Sequence, residues 1–135
     1  MELKLHHLNL CSKDVPAMAA FYRSVLGLVP DQALDDTRIK ADGYAAAVAF
    51  VTDGQTGFHL ATKDLGLGFR MKQMVNPVER GHIAFRTDDI EAFKQRLDRQ
   101  GIPYADYGKW SMNGWYQIFF YDPDGNIIEV HQADA

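Results

Sequence analysis

Hydrophobic and polar positions along the chain repeat one pattern twice. Leu8 and Leu10 alternate with His7, Asn9 and Cys11, which is the period of a strand with two distinct faces. Asp14 and Pro16 then suit a helix cap and a first turn. Val15, Met18, Ala19, Tyr22 and Leu26 continue as an apolar stripe at helical spacing, stopped by Gly27. The second copy opens on His82-Ile83-Ala84-Phe85, offers Asp88 or Asp89 as cap, carries Ile90, Phe93 and Leu97 as its stripe, and stops at Gly101. A repeated supersecondary module explains this agreement. Both helices are expected on the sheet face opposite His7 and His82.

Strands follow each helix. Tyr44 to Val51 and Thr56 to Ala61 flank an Asp53-Gly54 turn, and Trp115 to Tyr121 and Asn126 to His131 flank Asp122-Pro123-Asp124-Gly125. A further strand fits around Leu28 to Leu34 and another around Ile102 to Tyr107. The predicted fold class is therefore α+β: strand, helix and three strands, used twice. Module 1 spans about 1–62 and module 2 about 81–131. Residues 63–80 join them within a single domain of 1–135, and part of that connection can cover a cleft.

Composition narrows the setting. Hydrophobic residues make up 47% and charged residues 24%, an ordinary globular balance, and the formal charge of −4 argues against an unselective grip on nucleic acid or anionic membrane. The longest apolar run, Ala45 to Val51, is far below membrane-spanning length. The one cysteine, Cys11, has no intrachain partner, and the N-terminal stretch has no signal-peptide core, so a cytoplasmic setting is expected. No P-loop, dinucleotide-binding glycine loop or zinc-finger cysteine set is present.

Candidate chemistry lies where polar residues interrupt apolar strands. His7 and His82 begin the first strands of the two modules, and His59 and Glu129 lie within the last ones. Facing modules would bring all four together. Three imidazoles and a carboxylate suit a borderline divalent metal such as zinc, nickel, manganese or iron, whereas calcium asks for more oxygen ligands. A buried Glu129 also becomes intelligible beside a cation. Trp110, Trp115 and Tyr116, beside Met112, Asn113 and Gly114, are candidate substrate-binding residues. His6 is expected on the strand face opposite His7. For His131, position alone favours a strand end over a place at the metal. Cys11 reads as a packed thiol, and Arg70, Lys72 and Arg86 read as solvated charges.

The segments HLNLCSKDVPAMAAFYRSVLGL at 7–28, GHIAFRTDDIEAFKQRLDRQG at 81–101 and YQIFFYDPDGNIIEVH at 116–131 resemble the vicinal oxygen chelate superfamily, which includes glyoxalases, bleomycin-resistance proteins and extradiol dioxygenases. The resemblance implies paired βαβββ modules whose curved sheets form a metal-binding cleft. His7, His82 and Glu129 match its usual metal positions. His59 matches a fourth position where glyoxalase-like and epimerase-like members commonly carry Glu or Gln. Cys11 stands where glutathione-using glyoxalases often carry arginine. Phe119 stands where the superfamily's dioxygenases and thiol transferases tend to carry tyrosine, and a phenyl ring cannot supply the hydroxyl.

The resemblance implies a metal-dependent glyoxalase-like lyase or isomerase acting on a small oxygenated substrate, with Glu129 or His59 moving a proton. The alternatives are a metal-dependent ring-cleaving dioxygenase or thiol transferase, and a nonenzymatic ligand-binding or resistance protein. Pairing of module edges makes a homodimer the expected assembly, with the site either inside one chain or shared between two.

Overall fold

The computed structural model describes residues 1–34 and 43–134, so residues 35–42 of the first module and residue 135 lie outside the described residues. The first module runs β1 (Leu3–Ser12), α1 (Val15–Ser24), β2 (Val29–Pro30), β3 (Val48–Thr52) and β4 (Gly57–Thr62). A short helix α2 (Leu67–Met71) lies in the connection. The second module repeats the order as β5 (Gly81–Thr87), α3 (Ile90–Arg99), β6 (Ala105–Lys109), β7 (Trp115–Tyr121) and β8 (Ile127–Ala133).

The eight strands of the described residues join one curved sheet in the order β2-β3-β4-β1-β5-β8-β7-β6. The two first strands, β1 and β5, pair antiparallel at its centre, and each pairs parallel with the last strand of its own module. The modules are thus placed symmetrically about the β1–β5 seam within one chain.

Local chemistry builds the helices where the sequence places them. The Asp14 carboxylate accepts from the Ala17 amide at 3.1 Å and the Asp89 carboxylate from the Ala92 amide at 3.0 Å. Each satisfies one of the orphan donors of a helix start, worth about 1 kcal/mol. Asp88 instead accepts from the Glu2 amide.

Side-chain alternation then decides what each face of the sheet holds. Leu10, Phe58 and Leu60 meet α1 through Ala19. Ile118, Ile128 and Val130 meet α3 through Ile90, Phe93 and Leu97. The other, concave face receives His7, His59, His82 and Glu129. It is closed by a core that includes Leu67, Val75 and Val78 from the connection and Tyr44, Tyr107, Trp110 and Phe119.

Several boundaries differ from the sequence pattern. The strand expected over Leu28–Leu34 is reduced to Val29–Pro30, because Pro30 has no amide to continue a ladder, and a 3-10 turn follows over Gln32–Leu34. Leu26 lies beyond the end of α1 and is 54% exposed, so the buried stripe is shorter than its apolar spacing. The strand expected from Tyr44 starts only at Val48. Tyr44 leaves the sheet to pack beside Trp110, and its hydroxyl donates to the Thr62 carbonyl at 2.7 Å.

Candidate metal centre

Strand register arranges the polar residues of the concave face in three successive rows. The first crosses Phe50, His59, Asn9 and His82. The second crosses Gly57, His7, Ala84, Glu129 and Phe119. The third crosses Arg86, His131 and Gln117. The four residues singled out by the repeat occupy the first two rows. Small residues beside His7, Gly57 and Ala84, leave the imidazole and the carboxylate room to lie across the sheet.

The distances are short. His82 Nε2 lies 3.0 Å and His7 Nε2 3.8 Å from Glu129 Oε1. The His59 ring stacks on His7 at 3.6 Å between centroids. His7, His59, His82 and Glu129 are each under one-tenth exposed.

Hydrogen bonding places one proton of the cluster. His82 Nδ1 lies 2.7 Å from the Pro77 carbonyl, which only accepts, so Nδ1 holds the proton. Nε2 is then left to meet the carboxylate oxygen, either through a cation that takes its lone pair or through a proton of its own. His59 Nε2 is buried with no hydrogen-bond partner among the described residues, and so is Gln117 Oε1 on β7. Converging lone pairs, a carboxylate and an orphaned imidazole nitrogen make a donor set that a divalent cation fits. The backbone carbonyl behind His82 is the usual kind of outer partner for a metal-binding imidazole.

Burial governs the protonation of the cluster. It pushes His59 down to about 3, and it holds His7 well below the ordinary imidazole range. Both rings are neutral near pH 7, the form that ligates metals. Burial also pushes the Glu129 carboxyl up, but hydrogen bonding, that from His131 among it, holds it well below the usual carboxylate range.

Two histidines lie elsewhere than the sequence suggests, His6 against strand alternation and His131 against its reading as an open strand end. Leu5 pairs with Phe85 and His7 with Ala84, so His6 is an extra residue in β1, a bulge. Its ring consequently turns toward the site, with Nδ1 2.8 Å from His7 Nδ1 and ring contacts to Trp115 and His131. His131 is completely buried rather than at an open strand end. Its Nδ1 lies 2.5 Å from Glu129 Oε2, and its Nε2 accepts from Arg86 Nε at 3.0 Å. Ligand atoms of His7, Glu129 and His131 fall within 4.8 Å of one another, yet both His131 nitrogens are already engaged. The spacing of Glu129 and His131, two apart on one strand, was a sequence signal for their shared face. The Arg86 contact becomes visible only with the β5–β8 register.

The candidate substrate residues separate. Trp110 and Trp115 are buried and line the cavity beside the cluster, together with Tyr44, Phe50, Met112 and Phe119. Tyr116 points to the other face of β7. There its hydroxyl donates to Asp106 at 2.7 Å and accepts from Lys94 at 3.0 Å, so it takes no part in this cavity. The cavity has a free volume of about 40 Å³, room for an ion and a few waters. Cys11 packs at the core margin, its thiol pushed up to about 11 by burial. Arg70 pairs with Asp64 away from the site.

The family model described as Glyoxalase/Bleomycin resistance protein/Dioxygenase superfamily matches residues 4–130. The chain is 25% identical over 135 residues to Glyoxylase I 4 of Arabidopsis thaliana, a match covering 97% of this chain and 71% of that one. Hypothetical protein BH1468 from Bacillus halodurans shares the fold at a TM-score of 0.73 and 18% identity, with 100% of this chain and 97% of that chain covered. Methylmalonyl-CoA epimerase from Mycobacterium tuberculosis does so at 0.71 and 18%, with 97% and 88% covered. A variant of the Streptomyces coelicolor methylmalonyl-CoA epimerase in complex with 2-nitronate-propionyl-CoA follows at 0.68 and 22%, with 98% and 95% covered.

Proposed function

The chain belongs to the glyoxalase/bleomycin resistance protein/dioxygenase superfamily, and from that premise we propose that it is a divalent-metal-dependent, glyoxalase-like lyase or isomerase acting on a small oxygenated substrate. The observation that carries this reading is the His82–Glu129 contact. A ring nitrogen whose partner nitrogen is committed to Pro77 faces a buried carboxylate oxygen at 3.0 Å, with the unpartnered His59 nitrogen in the same cavity.

His7, His82 and Glu129 would hold the metal, with His59 as the fourth ligand. When bound, zinc, nickel, manganese or iron supplies Lewis-acid polarisation of a substrate oxygen. Glu129, which would give up its place at the metal to do so, is the leading candidate for moving the proton next to that oxygen. His131 restrains its Oε2, while Oε1 points into the cluster. His59 is the second candidate, since a nitrogen that coordinates metal cannot also take a proton. Trp110 and Trp115 would form the substrate walls, and their burial together with Phe119 keeps water from the reacting atoms.

The names of the relatives, a glyoxylase I and methylmalonyl-CoA epimerases, support proton-shifting chemistry. Phe119, fully buried against His82, weighs against the dioxygenase or thiol-transferase reading, which draws on a hydroxyl at that position. A homodimer in the cytoplasm remains part of the proposal. Exposed Phe21, Val25, Leu26 and Val29 around the end of α1 support pairing.

The test is calorimetric titration of metal-free protein with zinc and nickel, followed by proton–deuterium exchange next to the carbonyl of small hydroxy-aldehydes and hydroxy-ketones. Stoichiometric metal binding with metal-dependent exchange is expected. Ligand binding without metal or turnover would transfer the protein to the nonenzymatic class.

A further inference from the structure

His131 and Arg86 stand side by side on the parallel strands β8 and β5, one row beyond Glu129. Arg86 Nε donates to His131 Nε2 at 3.0 Å. A guanidinium has donors only, so Nε2 must present its lone pair and the His131 proton must sit on Nδ1. That proton points at Glu129 Oε2, 2.5 Å away. Trp115 stacks on the His131 ring at 4.2 Å and 15°, and the Arg86 guanidinium lies 4.9 Å from the centre of the same indole. A flip of the imidazole would lose both hydrogen bonds, and a tilt would lose the stack as well.

We infer that Arg86 is a positioning residue: by occupying Nε2 it keeps His131 in the Nδ1–H form and in the orientation that donates to Glu129 Oε2, which leaves Oε1 facing His7 and His82. Three features support this role. Glu129 is 1% exposed, so no solvent competes for Oε2. Both His131 nitrogens are consumed by the relay, which removes the ring from the ligand set although it lies close to it. The direct neighbours of Glu129 in its own row, Ala84 and Phe119, cannot hydrogen-bond its carboxylate, so the donor that orients Oε2 comes from the next row. Arg86 lines neither the cavity nor the ligand cluster, and acts through His131.

The inference rests on the metal reading for its consequence but not for its structural content, and two measurements keep these apart. In the metal-free protein, long-range proton–nitrogen NMR correlations of His131 are expected to show the Nδ1–H tautomer. In Arg86→Met, where Nε2 loses its donor while the Glu129 carboxylate still calls for a proton on Nδ1, an Nε2–H population should appear beside the Nδ1–H form. A wild-type His131 protonated on Nε2 alone, or a tautomer unchanged by Arg86→Met, would overturn the relay even if metal binds. The second measurement is zinc affinity by competition with a chromophoric chelator. Arg86→Met should bind zinc about 10- to 100-fold more weakly, the range for loss of an outer partner.

His131→Asn supplies an amide donor near Nδ1 that needs no partner at Nε2, so adding Arg86→Met to it should change zinc affinity by less than about twofold, against the larger loss expected in the wild-type background. Equal losses from Arg86→Met in the two backgrounds would show that Arg86 acts by charge or packing and would overturn the positioning role. If the wild type binds no zinc, the metal reading fails while the tautomer result still decides the relay.

Discussion

His82 Nε2 and Glu129 Oε1 stand 3.0 Å apart although the only proton a neutral His82 owns is committed to the Pro77 carbonyl. Two acceptors at that distance repel unless positive charge intervenes, either a second proton on the ring or a cation. On the proposed function a metal ion would take the place of that proton, which links four residues from four strands through one electrostatic requirement.

Removal of single ligands should follow from that requirement. His7→Ala, His82→Ala and Glu129→Ala are each expected to weaken zinc binding by at least about 100-fold, more than loss of an outer partner does. His59→Ala is expected to show a smaller loss. Far-ultraviolet circular dichroism should stay near wild type, because the deletions remove donors rather than the apolar contacts under α1 and α3. Unchanged affinity in all four folded variants would remove the assignment.

Acid should destabilise the metal-free protein before it protonates ordinary carboxylates. Burial holds His59 at about 3, and burial with the Arg86 charge holds His6 at about 4, against 6.5 for a solvated imidazole. Between those limits the unfolded chain binds more protons than the folded one. Stability is therefore complete above about pH 6.5 and is lost as pH falls, at up to about 1.4 kcal/mol per pH unit for each ring. Urea melts from about pH 7.5 to about pH 4.5, a window spanning the solvated imidazole value, measure the slope, and a flat profile would contradict it. Saturating zinc should move the onset to lower pH.

Gly81 should tolerate no side chain. Its φ is +115°, and a Cβ there would lie 2.2 Å from the Asn9 carbonyl oxygen, a backbone atom of the paired strand. Gly81→Ala must either part the β1–β5 seam or shift its register. A loss of about 3 kcal/mol or more is expected from the strain and the lost pairing. The urea midpoint reads the stability, and zinc affinity should fall with it because His82 is the next residue. A variant as stable as wild type would show that the seam can move freely.

Tyr116→Phe is the contrasting variant. It removes hydrogen bonds to Asp106 and Lys94 on the α3 face, so a stability loss of about 1 kcal/mol or less is expected. Zinc affinity and metal-dependent exchange should remain those of the wild type. Loss of either would return Tyr116 to the site.

The sequence by itself determined the modules and the residues worth attention. Two copies of one strand–helix pattern, with capping aspartates at the same distance from a leading histidine, specify the βαβββ units because alternation and helical period are local properties. The same duplication singled out His7, His59, His82 and Glu129, since equivalent positions of facing modules must meet. Only the tertiary structure decided how protons are arranged around them. The bulge that brings His6 to the site, the Pro77 carbonyl behind His82 and the Arg86–His131 pair all depend on contacts that local periodicity does not encode. Trp115 and Tyr116, equal as aromatic neighbours in the sequence, parted because the pleat of β7 turns one toward the cavity and the other toward α3. Local periodicity states which residues share a face. Which face is buried beside the site, and which donor meets which acceptor there, depends on strand pairing and register across the whole sheet.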